Sequence, residues 1–244
     1  PAETETTDNE SNPSPNITRV YKPLPGLTPY ATYIEGLQSG GVAPGGTANA
    51  GQAFAPEISE QYEIGAKATL GETLLTLALF NIEKPNGYTT ASNIYVVDGR
   101  QENNGLEFSV TGKVIPELTV VGGFTLLDPK IKKTGVAADE GNVPTNVAKQ
   151  LAKVYAEYDI NPVPGLAMTG GAFYTGKQYT DQSNENDLPS FTTFDAGARY
   201  RLRLAENDLT LRVNVSNLTN KEYWLNSSYL GDPRTVAFSA QLEF

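Results

Sequence analysis

Apolar and polar residues alternate with a period of two through most of this chain, and nowhere more regularly than at its end. In TVAFSAQLEF (235–244), Val236, Phe238, Ala240, Leu242 and Phe244 fall on one face of an extended strand, and Thr235, Ala237, Ser239, Gln241 and Glu243 on the other. Leu209, Leu211, Val213 and Val215 likewise alternate with Thr210, Arg212, Asn214 and Ser216. Breakers rich in Gly, Pro, Asn and Asp separate runs of this kind. They predict strands at 17–22, 29–37, 61–70, 73–83, 105–115, 118–127, 148–160, 166–179, 191–204, 209–224 and 234–244. Residues 1–16, acidic and without an apolar anchor, predict a flexible tail or loop remnant.

The strand at 191–204 sharpens the picture. Phe194, Ala196, Ala198, Tyr200, Leu202 and Leu204 alternate with Asp195, Gly197, Arg199, Arg201 and Arg203. Three arginines on one face cannot enter a dry sandwich core, because each buried charge would need a partner. They fit a wet lumen, or equally the solvent face of a soluble sheet. Connection lengths then favour the lumen. Short reversals at 23–28, 71–72, 116–117, 161–165 and 205–208 take turns with longer links at 38–60, 84–104, 128–147, 180–190 and 225–233. Short turns at one rim and long loops at the other are what an outer-membrane barrel requires.

Composition agrees. There is no Cys and no His, which disfavours imidazole- or thiolate-dependent catalysis and zinc or haem sites. The chain is therefore expected not to be an enzyme. A net charge of −10 argues against a nucleic-acid partner. No apolar run approaches the ~20 residues of a membrane helix, so any spanning must be by strands. The fold expected is an all-β, antiparallel transmembrane barrel of about ten to eleven strands. Counting strands back from a periplasmic C-terminus puts the first residues at the long-loop rim; complete bacterial barrels have both ends inside and an even strand count. An odd count predicts a piece of a larger barrel. The alternatives are a complete small porin-like barrel and a soluble carbohydrate-binding β-sandwich.

Particular segments carry a family resemblance. TRVYKPLPGLTPYATYIEGLQSG (18–40), FAPEISEQYEIGAK (54–67), NGLEFSVTGKVIPELTVVGGFTLLD (104–128), VPTNVAKQLAKVYAEY (143–158), GGAFYTGKQY (170–179), NVSNLTNKEYW (214–224) and GDPRTVAFSAQLEF (231–244) occur in this order. Together they resemble the C-terminal half of the barrel of TonB-dependent siderophore receptors. The resemblance implies part of a 22-stranded outer-membrane barrel and uptake of ferric siderophores, with no directly bound cofactor. The implied partners are the ferric siderophore, outer-membrane lipid, the barrel-assembly machinery and, through a missing N-terminal part, the TonB complex. The plug domain and TonB box of the family have no counterpart here, so this polypeptide by itself is not expected to gate transport.

The alternation, the loops and the resemblance together assign residues. Phe238, Leu242 and Phe244 fall where the family carries its assembly signal. Asp195, Arg199, Arg201, Arg203 and Arg212 are expected to face the lumen. Tyr88, Tyr95, Tyr179, Tyr223, Trp224 and Tyr229, in or beside the long loops, are the ligand-contact candidates; interfacial anchoring is the competing role for Tyr223 and Trp224.

Overall fold

The computed structural model describes residues 13–204 and 206–243. Eleven strands form one antiparallel sheet in which nearly every strand pairs with its sequence neighbour. They are β1 (Asn16–Val20), β2 (Leu27–Gln38), β3 (Glu57–Leu70), β4 (Thr73–Thr89), β5 (Tyr95–Ile115), β6 (Leu118–Lys133), β7 (Gln150–Asp159), β8 (Leu166–Thr175), β11 (Phe191–Leu204), β12 (Asn207–Ser216) and β13 (Thr235–Glu243). Between β8 and β11 the loop folds into a small hairpin of β9 (Gln178–Tyr179) and β10 (Asp187–Leu188). All eleven predicted runs correspond to strands of the main sheet.

Several boundaries differ, for identifiable reasons. The expected loop 84–104 is mostly strand, because β4 and β5 run on together as a tall hairpin past a bulge at Asn86/Tyr88. Above the level where both faces are wet, alternation is no longer required, and the sequence pattern fades before the ladder does. β6 similarly continues to Lys133. Conversely, 166–179 breaks after Thr175, where pairing with β11 ends at Phe191 and the Gly176 N–H makes a last β7-side bond to Gln150 O; the rest of the run forms β9. The expected strand 209–224 stops at Ser216 because Asn217 adopts φ +49°. At the other rim Gly71, at φ +59°, allows the two-residue reversal from β3 to β4.

Register separates two faces. One rung joins Ala66, Leu77, Phe108, Phe124 and Ala152, and the next joins Ala31, Ile64, Leu79, Leu106 and Leu126. On the same face Met168 opposes Ala198, Tyr200 opposes Leu211, and Val213 opposes Phe238. Ile64 is 59% exposed and Leu79 50%, although both lie on interior strands. An exposed apolar face running from β2 to β13 is far larger than the few hundred Å² that water tolerates.

This band has a sharp upper edge. Above Ile64–Leu79–Leu106–Leu126 comes Tyr33–Tyr62–Asn81–Asn104–Asp128, and above that Glu35–Glu60–Glu83–Glu102–Lys130. From Thr73 to Asn81 is about 27 Å of strand, which a tilt of about 40° lowers to just over 20 Å, close to the ~25 Å apolar band of an outer-membrane barrel. Apart from Ala167, fully covered near the short-turn rim, the deepest burial lies beyond this band, at the long-loop rim. There Ile131 and Pro129 are fully covered and Ala43, Val143, Ala148, Gln101 and Gln178 are buried. The hydrophobic core of this molecule packs loops, while its wall is left to lipid.

Candidate functional site

The face opposite the apolar rungs carries most of the sheet's charged and hydrogen-bonding side chains, with Phe80, Ile82, Val121, Leu151 and Phe173 among them. Tyr30 donates to Glu63 at 2.6 Å and Gln61 donates to the same carboxylate at 3.0 Å, while Lys67 lies 5.5 Å from the Tyr30 ring centroid. Over Gly122 and Gly123, where two side chains are missing, a hollow of about 470 Å³ opens among Val121, Leu151, Lys153, Tyr155 and Phe173.

Towards the short-turn rim the arginines take charge of this face. Arg199 stands directly opposite Arg212 across the β11–β12 pair, an unfavourable like-charge position. It turns the other way, across β8. Its guanidinium donates to Glu157 at 2.6 and 3.3 Å and to Asp159 at 3.1 Å, leaving the side chain 7% exposed. Arg212 reaches Gln241 at 3.5 Å. Arg201 and Arg203 line a recess of about 430 Å³ with Arg212, Asp208, Thr210 and Glu243. At the opposite end of β11, Asp195 accepts the Asn217 N–H at 2.9 Å, so it braces the exit of β12. Asp195, Arg199, Arg201, Arg203 and Arg212 lie on one side of the β11–β12 pair. Glu157 and Asp159, the partners that make Arg199 tolerable, escaped the sequence reading, although Lys153, Tyr155, Glu157 and Asp159 alternate with Val154, Ala156 and Tyr158.

At the long-loop rim, asparagine side chains tie loops that are far apart in sequence. Asn146, at φ +60°, donates to Ser227 Oγ and accepts the Ser227 N–H at 2.8 Å. Asn184, also at φ +60°, exchanges two hydrogen bonds with the Val143 backbone, and Asn142 donates to Gln182 O. Gln178 donates to Leu225 O at 3.2 Å. Three loops, 134–149, 176–190 and 217–234, are thereby joined. Asn49 clamps the Tyr95 backbone in the same two-handed way, fastening loop 39–56 to the top of β5. Asparagine suits both tasks, since it tolerates a left-handed backbone and imitates a peptide group with its side chain. Asp181 closes the 181–186 turn. The Ser183 hydroxyl and the Glu185 and Asn186 N–H groups donate to it and hold its carboxyl well below the usual range.

The six aromatic candidates separate on this collar. Tyr223 is structural: its ring stacks on Phe191 at 4.1 Å and burial pushes its phenol up. Tyr95 packs edge-on against Phe54, and Tyr88 lies against Gly135. Tyr179 is covered by the Lys177 ammonium at 4.4 Å. Trp224 and Tyr229 sit on a small hairpin closed by the Trp224–Leu230 bridge; both are exposed, Tyr229 by 66%.

A sheet with one lipid-suited face, one polar face, short turns at one rim and a tied loop collar at the other defines the wall of an outer-membrane β-barrel. A family profile described as TonB dependent receptor-like, beta-barrel, matches residues 2–218, and the chain belongs to that family. It is 35% identical to the ferrichrome receptor FcuA of Yersinia enterocolitica, over 93% of this chain and 32% of the relative. To the ferrichrome outer membrane transporter/phage receptor of Escherichia coli K12 it is 31% identical, over 90% and 30%. Among solved structures, the ferric preacinetobactin receptor BauA of Acinetobacter baumannii superposes with a TM-score of 0.82 at 37% identity, covering 95% of this chain and 36% of that one. The chain thus spans about a third of the length of the relatives it matches.

Proposed function

We propose that this chain is the C-terminal part of the barrel wall of a receptor that takes up ferric siderophores across the outer membrane. In this reading residues 17–244 form the wall and 1–16 lead into it. The observation that carries it is an eleven-stranded sheet with one face apolar from strand to strand, in a chain 35% identical to a ferrichrome receptor. The polar face, with Asp195, Arg199, Arg201, Arg203 and Arg212, lines the lumen, and the long-loop rim faces outward to meet the ligand. Tyr229 and Trp224 are the first ligand contacts, since their rings are free to pack on a siderophore skeleton; Tyr179, Tyr88 and Tyr95 follow. The siderophore is cargo rather than a resident cofactor. Coupling to the TonB complex belongs to parts of the protein outside this wall, and Phe238, Leu242 and Phe244 address the barrel-assembly machinery.

The test uses the full-length receptor that contains this chain, expressed in a strain lacking its own siderophore receptors. Cells should accumulate radioactive iron from a panel of ferric siderophores, and deletion of TonB should abolish accumulation. Tyr229→Ala should weaken ligand binding several-fold at unchanged surface level, about 1 kcal/mol for a lost hydrogen bond and ring contact. Absence of uptake for every siderophore in the panel, with the barrel folded at the surface, would overturn the reading.

A further inference from the structure

An apolar patch interrupts the face that the proposed reading turns to the lumen. Register sets Ser109, Gly123, Lys153 and Phe173 on one rung of that face, with Val121 and Leu151 on the rungs to either side. Elsewhere on this face rings fill the space above a glycine: Tyr30 lies over Gly65 and Phe80 over Gly105. Over Gly123 the nearest atoms are backbone atoms of Phe108 and Ser109, and the hollow of about 470 Å³ stays open, with Val121 51% and Tyr155 38% exposed. Ser109 pairs with Thr76, inside the Thr73–Asn81 span of the apolar band. The hollow therefore lies on the lumenal wall below the loop collar.

Its lining is amphiphilic. Val121, Leu151 and Phe173 supply apolar surface, and Lys153 stands among them. Lys153 is exposed and, among the described residues, takes part in no ion pair within 4.0 Å. The carboxylate in the lining, Glu107, is two strands away on β5, on the rung of Thr125 and Leu151. Towards the short-turn rim the same face carries Arg201, Arg203 and Arg212, so an anion moving down from the hollow meets further positive charge. The volume falls within the roughly 300–1,000 Å³ of small-molecule sites.

We propose that this hollow is a transit site for the aryl arm of a catecholate-type ferric siderophore, with the ring on Leu151 and Phe173 and the phenolate oxygens on Lys153. The inference rests on the reading of the chain as part of a ferric-siderophore receptor, and adds a class of ligand and a station below the collar. A ferric catecholate joins negative oxygens to a flat ring, the combination that Lys153 and Phe173 meet together. A ferric trihydroxamate is neutral and carries no ring, so it gains from neither. Aromatic rings prefer offset or edge-to-face contact, for which the open space over Gly123 leaves room beside Phe173. The lysine ammonium, a compact charge on a flexible stem, can follow an anion as it moves. Placed below the loops, the contact acts on passage and not on capture.

The full-length receptor is expressed in a strain lacking its own siderophore receptors, and radioactive iron is supplied as a synthetic ferric tris-catecholate or as ferrichrome. Wild-type cells should accumulate iron from the catecholate. Lys153→Gln and the hollow-filling Leu151→Trp should each slow that accumulation about fivefold, as for one partly screened charge or ring contact. Lys153→Arg should restore it. Binding of the catecholate to cells without TonB, which reports the loops, should be unchanged in all of them, and heat-modifiable migration on gels reports that each barrel is folded. Thr125→Cys, at the edge of the hollow, should react with a water-soluble thiol reagent while uptake proceeds. Wild-type rates in both Lys153→Gln and Leu151→Trp would overturn the proposal. So would equal losses of binding and uptake, or a Thr125→Cys variant that stays unlabelled during uptake because a segment of the receptor itself fills the hollow. Accumulation of iron from ferrichrome alone would also overturn it, while leaving the receptor reading intact.

Discussion

Arg199 shows how one residue on the polar face is made tolerable. Facing Arg212 across the pair, it is held by Glu157 and Asp159 from two strands away. Glu157→Ala should destabilise the folded barrel by about 1–2 kcal/mol, the lower part of the range for hydrogen bonds to charged groups because Asp159 remains. Urea unfolding of the full-length protein in detergent checks this, in a double-mutant cycle with Arg199→Ala. Strictly additive effects would mean the pair contributes nothing. That the arginines share a face was legible from alternation alone; their partners were not, since pairing across an intervening strand depends on register that no single segment encodes. The aromatic candidates divide in the same way. Tyr223 reads like its neighbour Trp224 in sequence, and only its stack on Phe191 assigns it to packing.

At the scale of elements, the strands of the apolar band were readable because each has to answer to lipid on one side and water on the other. The upper parts of β4, β5 and β6 were not, since Pro85, Asn86 and Gly87 look like a loop yet stay in the tall hairpin. The collar was invisible in sequence, because contacts such as Asn146 with Ser227 join residues 81 positions apart. Asn146→Ala should remove two hydrogen bonds, at about 1 kcal/mol each, and speed amide exchange at Ser227 about five- to thirtyfold. Hydrogen exchange by mass spectrometry should find loop 217–234 affected and β7 to β12 unchanged. The Asp181 turn adds a pH dependence. Because its folded carboxyl titrates below the ordinary value of 3.8, its contribution is fully present above that value and is lost as the pH falls beneath it. An acid titration followed at the Glu185 and Asn186 amides should keep their hydrogen-bonded positions at pH 5 and lose them only well below pH 4; a midpoint at the ordinary carboxylate value would show that the turn does not hold Asp181.

For the whole molecule, the proposed reading is an inside-out division of labour: lipid takes the apolar rungs, the polar rungs face the lumen, and the tied loops supply buried core. The fold class was legible because this division is written residue by residue in the alternation, and the loop lengths repeat it. Phe244, the last residue of the assembly segment, lies outside the described residues, while Phe238 and Leu242 stand opposite Val213 and Leu209 on the apolar face, as the alternation requires. The most direct test of the division is single-cysteine labelling of β11 in the full-length receptor in membranes, which contains no competing thiol in this part of the chain. Cysteines at Ala198 and Tyr200 should react with a lipid-soluble reagent and resist a charged one, and cysteines at Arg201 and Arg203 should do the reverse. The opposite pattern would place the arginines against lipid and contradict the account.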